Sequence, residues 1–416
     1  MGTGVRVCLL TTSFPRHAGD HSGSFILGLT RALAERGVRM TVVAPQGREP
    51  ASSHEEVDGV LVERFTYFLP RRLQRLCYGS GIPTNIRRCR LLVLQIPFLL
   101  WGFLRRGLAV SRDCDLIHAH WSLAGVAGLI ISRLRGVPLV LTIYGAEIFS
   151  LQGALPVRFA VNRADFVTTI SRYTLSKISA VAHPRAVAVI PFGVNAEKCA
   201  PVDPSISARL REQLGIPRER LVVLTVGRLV ERKGVQYLIE AMPLILQAVD
   251  AHLVVAGSGP LHDQLSVRAT QLGVKDHVTF TGLIPDDLLT ALYKMAAVFV
   301  LPSIVDHTGD TEGLGVVLLE AMANGAPVVA SRVGGITDVV VDGVSGYLVE
   351  PADSERLAEK LIAVLQHPEA RMALGQQGQQ WVQERFSWDR IASQTLQVYE
   401  QVLIDQRCKS TKVHGL

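Results

Sequence analysis

Cysteine is sparse in this chain of 416 residues, and the six present, Cys8, Cys77, Cys89, Cys114, Cys199 and Cys408, are scattered without a C-x-x-C pair. Such a distribution argues against a zinc site or a disulfide framework and suits a reducing cytosol. Long hydrophobic runs are missing too. The stretch LLVLQIPFLLWGFL, Leu91 to Leu104, is 14 residues long and interrupted by Gln95 and Pro97, short of the roughly 20 needed to cross a bilayer. At the N-terminus, MGTGVRVCLLTTSFPR holds only a short apolar run, which predicts a first strand and not the core of a signal peptide. No G-x-G-x-x-G turn follows a predicted strand, so a nicotinamide-dependent oxidoreductase lacks its main signature. A glycosidase-like carboxylate pair is not evident, and no aromatic-interleaved basic motif supports nucleic-acid binding.

What is present is regular. Short apolar runs recur between turn residues: VRVCLLTT, RMTVVAP, DLIHAHW, LVLTIY, DFVTTIS and VAVIPFG, then LVVLTVG, HLVVAGSG, VTFTG, VFVLPS and PVVAS. Helical patterns such as FILGLTRALAERG and VQYLIEAMPLILQAV separate them. This alternation predicts an α/β protein whose parallel sheets are covered on both faces. The length implies two domains of about 200 residues. The run PVDPSISARLREQLGIPRER, rich in Pro and charge, is read as a linker near Ala200 to Arg220. Two Rossmann-like domains, 1–200 and 201–385, are then expected to face each other across a cleft, and the segment 386–416 to form a helix packing back on the first.

Charge divides unevenly. Residues 1–200 carry 24 Lys+Arg against 12 Asp+Glu, and the remainder 19 against 25, so the first half is the basic one. Within it Arg71, Arg72, Arg75, Arg87, Arg88 and Arg90 precede the apolar run 91–104, and Arg105, Arg106 and Arg112 follow it. Two readings stay open: a helix lying in an anionic membrane interface with Trp101 at the boundary, or a buried helix pair capped by solvated arginines.

Candidate functional residues fall at the expected carboxyl ends of strands, where open α/β sheets bind ligands. In EGLGVVLLEAMANG, Glu312 opens a Gly-punctuated turn and Glu320 is placed two turns into an apolar helix. A helical rise of about 1.5 Å per residue would separate the two carboxylates by roughly 12 Å, enough for a ligand with hydroxyls at both ends and phosphates between. Gly313 and Gly315 leave the first helical N–H groups open to an anion. Taken alone, both acids also fit exposed helix charges. After LVVLTVG, Arg228 and Lys233 of GRLVERKG precede a helix and suit a diphosphate. The loop FPRHAGDHSGSF offers Gly19, Ser22 and Gly23 for a close phosphate approach, although an ordinary strand-to-helix turn has the same composition. Gly257 and Gly259 lack a third glycine and fit a tight turn. His118 and His120 alternate along one strand and point to one side, with His120 nearer the ligand end. No third metal ligand at sensible spacing accompanies them. Asp113 and Asp115 precede that strand, at the wrong end of the sheet for holding phosphates. Asp306, His307, Asp310 and Glu312 crowd the loop after VFVLPS, as a solvated loop or a lid.

Together these segments resemble the retaining glycosyltransferases of family 4, which have the GT-B fold, over almost the whole chain. The matching stretches, in order, are the Gly-bearing first loop, DLIHAHW, TIYGAEIF, VTTISRYTLSKI, VAVIPFGVN, GRLVERKG, VVAGSGPL, VTFTGLIP and the run from VLPS through VVDGVSGYLV. The resemblance implies that Arg228 and Lys233 bind a diphosphate and that Glu320 binds ribose hydroxyls. It gives Glu312, with the backbone of Gly313, Leu314 and Gly315, the donor sugar. Gly23 would approach the phosphate from the first domain, His120 would face the cleft, and Gly282 and Leu283 would meet the base. The loop VDHTGDTEGLG is similar to that of bacterial exopolysaccharide and colanic-acid-type transferases. Many relatives carry His-Gly, whose His usually touches the donor sugar, where this chain has Tyr144 and Gly145; the resemblance implies that Tyr144 meets the donor there through a hydrogen bond from its phenol, and Glu147 replaces the usual Asp.

The implied reaction moves a hexose from a nucleotide diphosphate sugar to a saccharide or lipid-linked acceptor, with no cofactor and no metal. Front-face attack, with the leaving phosphate taking the acceptor's proton, is the family's usual proposal. A non-catalytic sugar-nucleotide-binding protein and a GT-B sugar-nucleotide epimerase remain as alternatives.

Overall fold

The computed structural model describes residues 4–17, 19–48, 52–79, 81–145, 147–148, 154–194 and 203–414. The chain divides into two compact units, one of Met1–Gly193 with Trp388–Leu416 and one of Val194–Ser387. The boundary expected at 200/201 lies outside the described residues. The stretch read as a linker contains a helix, Pro204–Gln213: Asp203 caps it by accepting from the Ser205 N–H at 2.9 Å, and Pro204 stands at its first position. Asp-Pro is a helix-start signal, and the charge that suggested a linker lies along the helix.

In the first unit the described strands are β1 (Arg6–Thr11), β2 (Arg39–Pro45), β3 (His54–Val57), β4 (Val60–Phe65), β5 (Leu116–His120), β6 (Leu139–Ile143), β7 (Phe166–Thr169) and β8 (Val187–Val189). Their order is β3-β4-β2-β1-β5-β6-β7-β8, parallel except for the β3–β4 hairpin. The sequence reading passed over this hairpin, because HEEV is a polar edge strand. Its turn is a two-residue Asp58-Gly59 with both residues at positive φ, a connection that suits strand twist.

The second unit holds β9 (Leu221–Val226), β10 (Ala251–Ala256), β11 (Val278–Gly282), β12 (Val298–Leu301), β13 (Val328–Ser331) and β14 (Tyr347–Val349), in the parallel order β11-β10-β9-β12-β13-β14. Strands β9, β10, β12 and β13 are buried almost throughout, as sheets covered on both faces require. Strand order reverses between β9 and β12 here, and between β1 and β5 in the first unit. Each reversal opens a crevice beyond the carboxyl ends of its strands. Arg228 and Lys233 follow β9, Glu312 follows β12, Gly23 follows β1 and His120 ends β5.

The final helix, Trp388–His414, belongs to the first unit. Its buried Tyr399 joins the core formed by Leu9, Ile26, Val42 and Leu116, and its hydroxyl bonds His118 Nδ1 at 2.7 Å. At the helix start, Gly28 and Gly193 are bare against the Trp388 indole, where a Cβ on either would approach a ring atom to 2.4 Å. The Tyr399→Phe substitution should leave His118 Nδ1 buried without its partner and cost about 1–3 kcal/mol. Denaturant unfolding monitored on the first unit would read this as a lower midpoint, and an unchanged midpoint would remove the bond from the docking of the helix.

Candidate functional site

In the second unit the centre of the site is a buried carboxylate. Glu312 is 7% exposed, and its Oε1 accepts from Lys233 Nζ at 2.8 Å and from Arg232 Nη1. Burial alone would raise its carboxyl, but the Lys233 and Arg232 cations override that and hold it below the usual carboxylate range. Among the described residues only Glu312 Oε1 takes part in these bonds, and Oε2 is left without one. Arg232 reaches Asp310 as well, at 3.6 Å. This arginine went unnoticed in the sequence, where Arg228 and Lys233 flank it. Its signal was there, since it adjoins Lys233 in the same strand-to-helix turn.

Close backbone approaches fix this turn. Gly234 has φ 61° and precedes the helix Val235–Ala248, and a Cβ on it would lie 1.9 Å from the Pro302 carbonyl oxygen. The loop after β9 is thereby pressed against the end of β12. On the other side, Gly334 and Gly335 pack on the backbone of Glu312 and Gly313, where Cβ atoms would fall 2.3 and 2.0 Å from those carbonyl oxygens. Gly335 N–H also bonds the Glu312 carbonyl at 2.8 Å. The Gly334-Gly335 pair was not singled out from sequence, although two adjacent glycines after a strand mark such a contact.

Arg228 is exposed, and among the described residues no carboxylate pairs with it. It adjoins Gly227, beside which the Lys233 stem passes: a Gly227 Cβ would lie 3.2 Å from Lys233 Cε. One free and one tethered cation thus share a strand end. Gly257 closes the same edge, donating to the Gly282 carbonyl at 2.8 Å, and its own Cβ would meet the Gly227 carbonyl at 1.9 Å. That contact explains Gly257 without a dinucleotide. It also joins Gly282, at positive φ, and the exposed Leu283 to the strand end that carries Arg228.

The helix carrying Glu320 runs Val316–Ala323, with Gly315 at φ 89° before it. Glu320 therefore sits little more than one turn in, not two, and the 12 Å spacing drawn from a continuous helix does not apply to residues 312–315. The cause is Gly315, whose left-handed conformation starts the helix late. Glu320 Oε2 accepts from the Tyr293 hydroxyl at 2.9 Å, a partner outside the sequence reading. Burial and the Glu320 carboxylate together push the Tyr293 phenol well above its usual range, so it stays a donor that orients Glu320.

Three expected residues of the first unit also assemble. Gly23 has φ 77° and could not carry a Cβ, which would lie 2.5 Å from the Ser13 carbonyl oxygen. The helix it starts presents Phe25 edge-on to Tyr144, with ring centroids 5.0 Å apart. Tyr144 is 8% exposed, stacks on Phe192 and touches Trp121. Its hydroxyl is committed to His120 Nδ1. Burial, reinforced by Glu147, holds the Tyr144 phenol well above its usual range, so it meets His120 as a neutral hydroxyl and leaves the ring's Nε2 for another partner. That Nε2, fully buried, has no partner among the described residues. Where the resemblance would give Tyr144 a hydrogen bond to the sugar, the geometry commits the Tyr144 hydroxyl to His120 and leaves His120 Nε2 as the buried polar atom without a partner among the described residues. Burial pushes both histidines down, His118 to about 3, and both are neutral at physiological pH. His118 is spent on Tyr399 and Thr142. Asp115 binds the backbone N–H of Arg6 at the start of β1, at the opposite end of the sheet. Among the described residues, no cluster of three or more His, Cys, Asp or Glu could hold a metal ion.

Comparison with known proteins agrees with this geometry. Residues 207–381 match the family described as Glycosyl transferases group 1, and residues 22–193 the Glycosyl transferase 4-like domain. The chain belongs to the family 4 glycosyltransferases of GT-B fold. It is 40% identical over 395 residues to a GDP-mannose-dependent alpha-(1-6)-phosphatidylinositol monomannoside mannosyltransferase of Mycolicibacterium smegmatis, covering 91% of this chain and 94% of that one. A D-inositol 3-phosphate glycosyltransferase of Acidothermus cellulolyticus is 34% identical over 72% of this chain and 69% of its own. Among solved structures, the sucrose-phosphate synthase of Thermosynechococcus elongatus superposes with a TM-score of 0.77 at 24% identity, over 96% of this chain and all of that one.

Because the Glu312 carboxyl is depressed in the folded state, its stabilising contribution is complete above the unfolded carboxyl value and is lost as pH falls through the folded one. Lys233→Met should therefore cost about 1.5–3 kcal/mol at neutral pH and move acid unfolding of the second unit to higher pH. Urea unfolding at several pH values checks both. A variant with wild-type acid sensitivity would contradict the charge balance described.

Proposed function

We propose that this chain is a retaining, metal-independent hexosyltransferase. It takes its sugar from a nucleotide diphosphate donor and passes it to a saccharide or lipid-linked acceptor of a cell-surface polysaccharide or glycolipid. The observation that carries the reading is the exposed Arg228, without an acid partner among the described residues, beside the buried Lys233–Glu312 pair at the strand-order reversal of the second unit. As the bond between the anomeric carbon and phosphate breaks, negative charge grows on the leaving diphosphate. Arg228, Lys233 and the N–H groups after Gly315 stand ready to stabilise it. Glu312 Oε2 would hold a sugar hydroxyl, and Glu320, oriented by Tyr293, the ribose. No base is needed from the protein if the leaving phosphate itself accepts the acceptor's proton during front-face attack.

GDP-mannose is the first donor to try, and a phosphatidylinositol-type glycolipid the first acceptor, given the 40%-identical mannosyltransferase. The basic first half fits a cytoplasmic location at the inner membrane face. The test presents UDP-, GDP- and ADP-sugars with a lipid acceptor in EDTA. Transfer with retained anomeric configuration is expected. Activity restored only by magnesium would contradict metal independence, inversion would contradict the mechanism, and donor conversion without any acceptor would mark an epimerase.

A further inference from the structure

The segment Arg90–Asp113 is continuously helical, as the 3-10 turn Arg90–Gln95, the α-helix Ile96–Val110 and the 3-10 turn Ser111–Asp113. One face, Leu92, Leu99 and Phe103, is buried in the core of the first unit. The opposite face should then be polar. Instead it repeats an apolar residue at spacings of three and four: Leu91 is 73% exposed, Leu94 66%, Phe98 52% and Trp101 66%. Leu69 and Leu73 extend the patch, joined through Phe68, whose ring meets Phe98 edge-on at 5.4 Å.

Arginines bracket this stripe at both ends. Among the described residues, Arg87, Arg88 and Arg90 before it and Arg105 after it have no carboxylate partner, nor has Arg71. Arg105 lies four residues after Trp101, on the same helix face. At that end of the stripe a cavity of about 290 Å³ is lined by Arg64, Arg71, Arg105 and Arg106 together with His54, and no carboxylate lines it. Arg64 is paired with Glu55, and Arg106 and His54 with Glu63, which leaves Arg71 and Arg105 to meet an anion.

We propose that this face docks the first unit onto an anionic phospholipid bilayer: the stripe lies at the acyl boundary, Trp101 marks the headgroup level, and Arg71 and Arg105 receive a lipid phosphate in the cavity. Charge selects this occupant. A second copy of the chain would bring arginine-bracketed ends against each other in either orientation, whereas anionic headgroups neutralise both ends. A fully spanning helix is excluded by the buried inner face. The proposal deepens the lipid-acceptor reading, and rests on it for its purpose, though not for its geometry.

Co-sedimentation of the full chain with phosphatidylglycerol vesicles, in the absence of nucleotide, tests it. Binding should exceed that to phosphatidylcholine vesicles and fall as salt is raised. Phe98→Ser with Trp101→Ser, and separately Arg71→Glu with Arg105→Glu, should each weaken it by at least about tenfold while circular dichroism stays native. Phe98, Trp101 and Arg105 are exposed and Arg71 is half-buried at the cavity, so none of the four belongs to the core. Equal binding to both lipids, or unaltered binding in both variants, would overturn the proposal, as would self-association in light scattering that the Phe98/Trp101 variant abolishes. A chain that binds lipid but transfers no sugar upholds this surface while the donor assay fails, and one that transfers sugar yet ignores lipid overturns it.

Discussion

A carboxylate withdrawn from water has to be compensated, and Glu312 is compensated by two cations from one turn. Lys233 and Arg232 come from the loop after β9, and Glu312 from the loop after β12. Their attraction ties the two loops together at the one place in the second sheet where strand order reverses. Truncating one partner would leave the other charge buried, which is far costlier than losing an exposed ion pair. The surrounding glycines follow from this constraint. Gly234, Gly334 and Gly335 allow backbone to come within a distance that any Cβ would forbid, and without them the three charges would not meet.

This arrangement separates structural from ligand-directed work. Lys233 is tethered, so its loss would perturb the fold as well as any diphosphate contact. Arg228 is exposed and no acid among the described residues holds it, which leaves its charge available to a ligand. The first unit shows a similar division between its two histidines. His118 is consumed by Tyr399 and Thr142 and anchors the final helix, while His120, one step nearer the carboxyl end of β5, keeps a buried ring nitrogen without a partner among the described residues. The tyrosine that stands in the family's histidine position holds the other ring nitrogen, Nδ1.

The sheets were legible because buried parallel strands are short, apolar and bounded by turns, and β1, β2, β5–β7 and β9–β13 follow their runs closely. The hairpin β3–β4 escaped notice because one face of an edge strand is polar, and β14 because three residues carry little pattern. Arg228, Lys233, Glu312 and Glu320 could be picked out by residue type beside glycine at strand ends. Their partners could not. Arg232 and Tyr293 owe their places to side-chain direction and to residues 80 and 27 positions away, and periodicity carries neither. The Asp203-Pro204 helix start was written in local chemistry but was obscured by charge.

The most direct test of the account is the affinity of the second unit's site for a nucleoside diphosphate, measured by calorimetry on the intact chain and on Arg228→Ala. Removal of one charge-assisted contact should weaken binding by at least about tenfold with the unfolding midpoint unchanged. Undiminished affinity in that variant would contradict the placement of the leaving diphosphate at the end of β9.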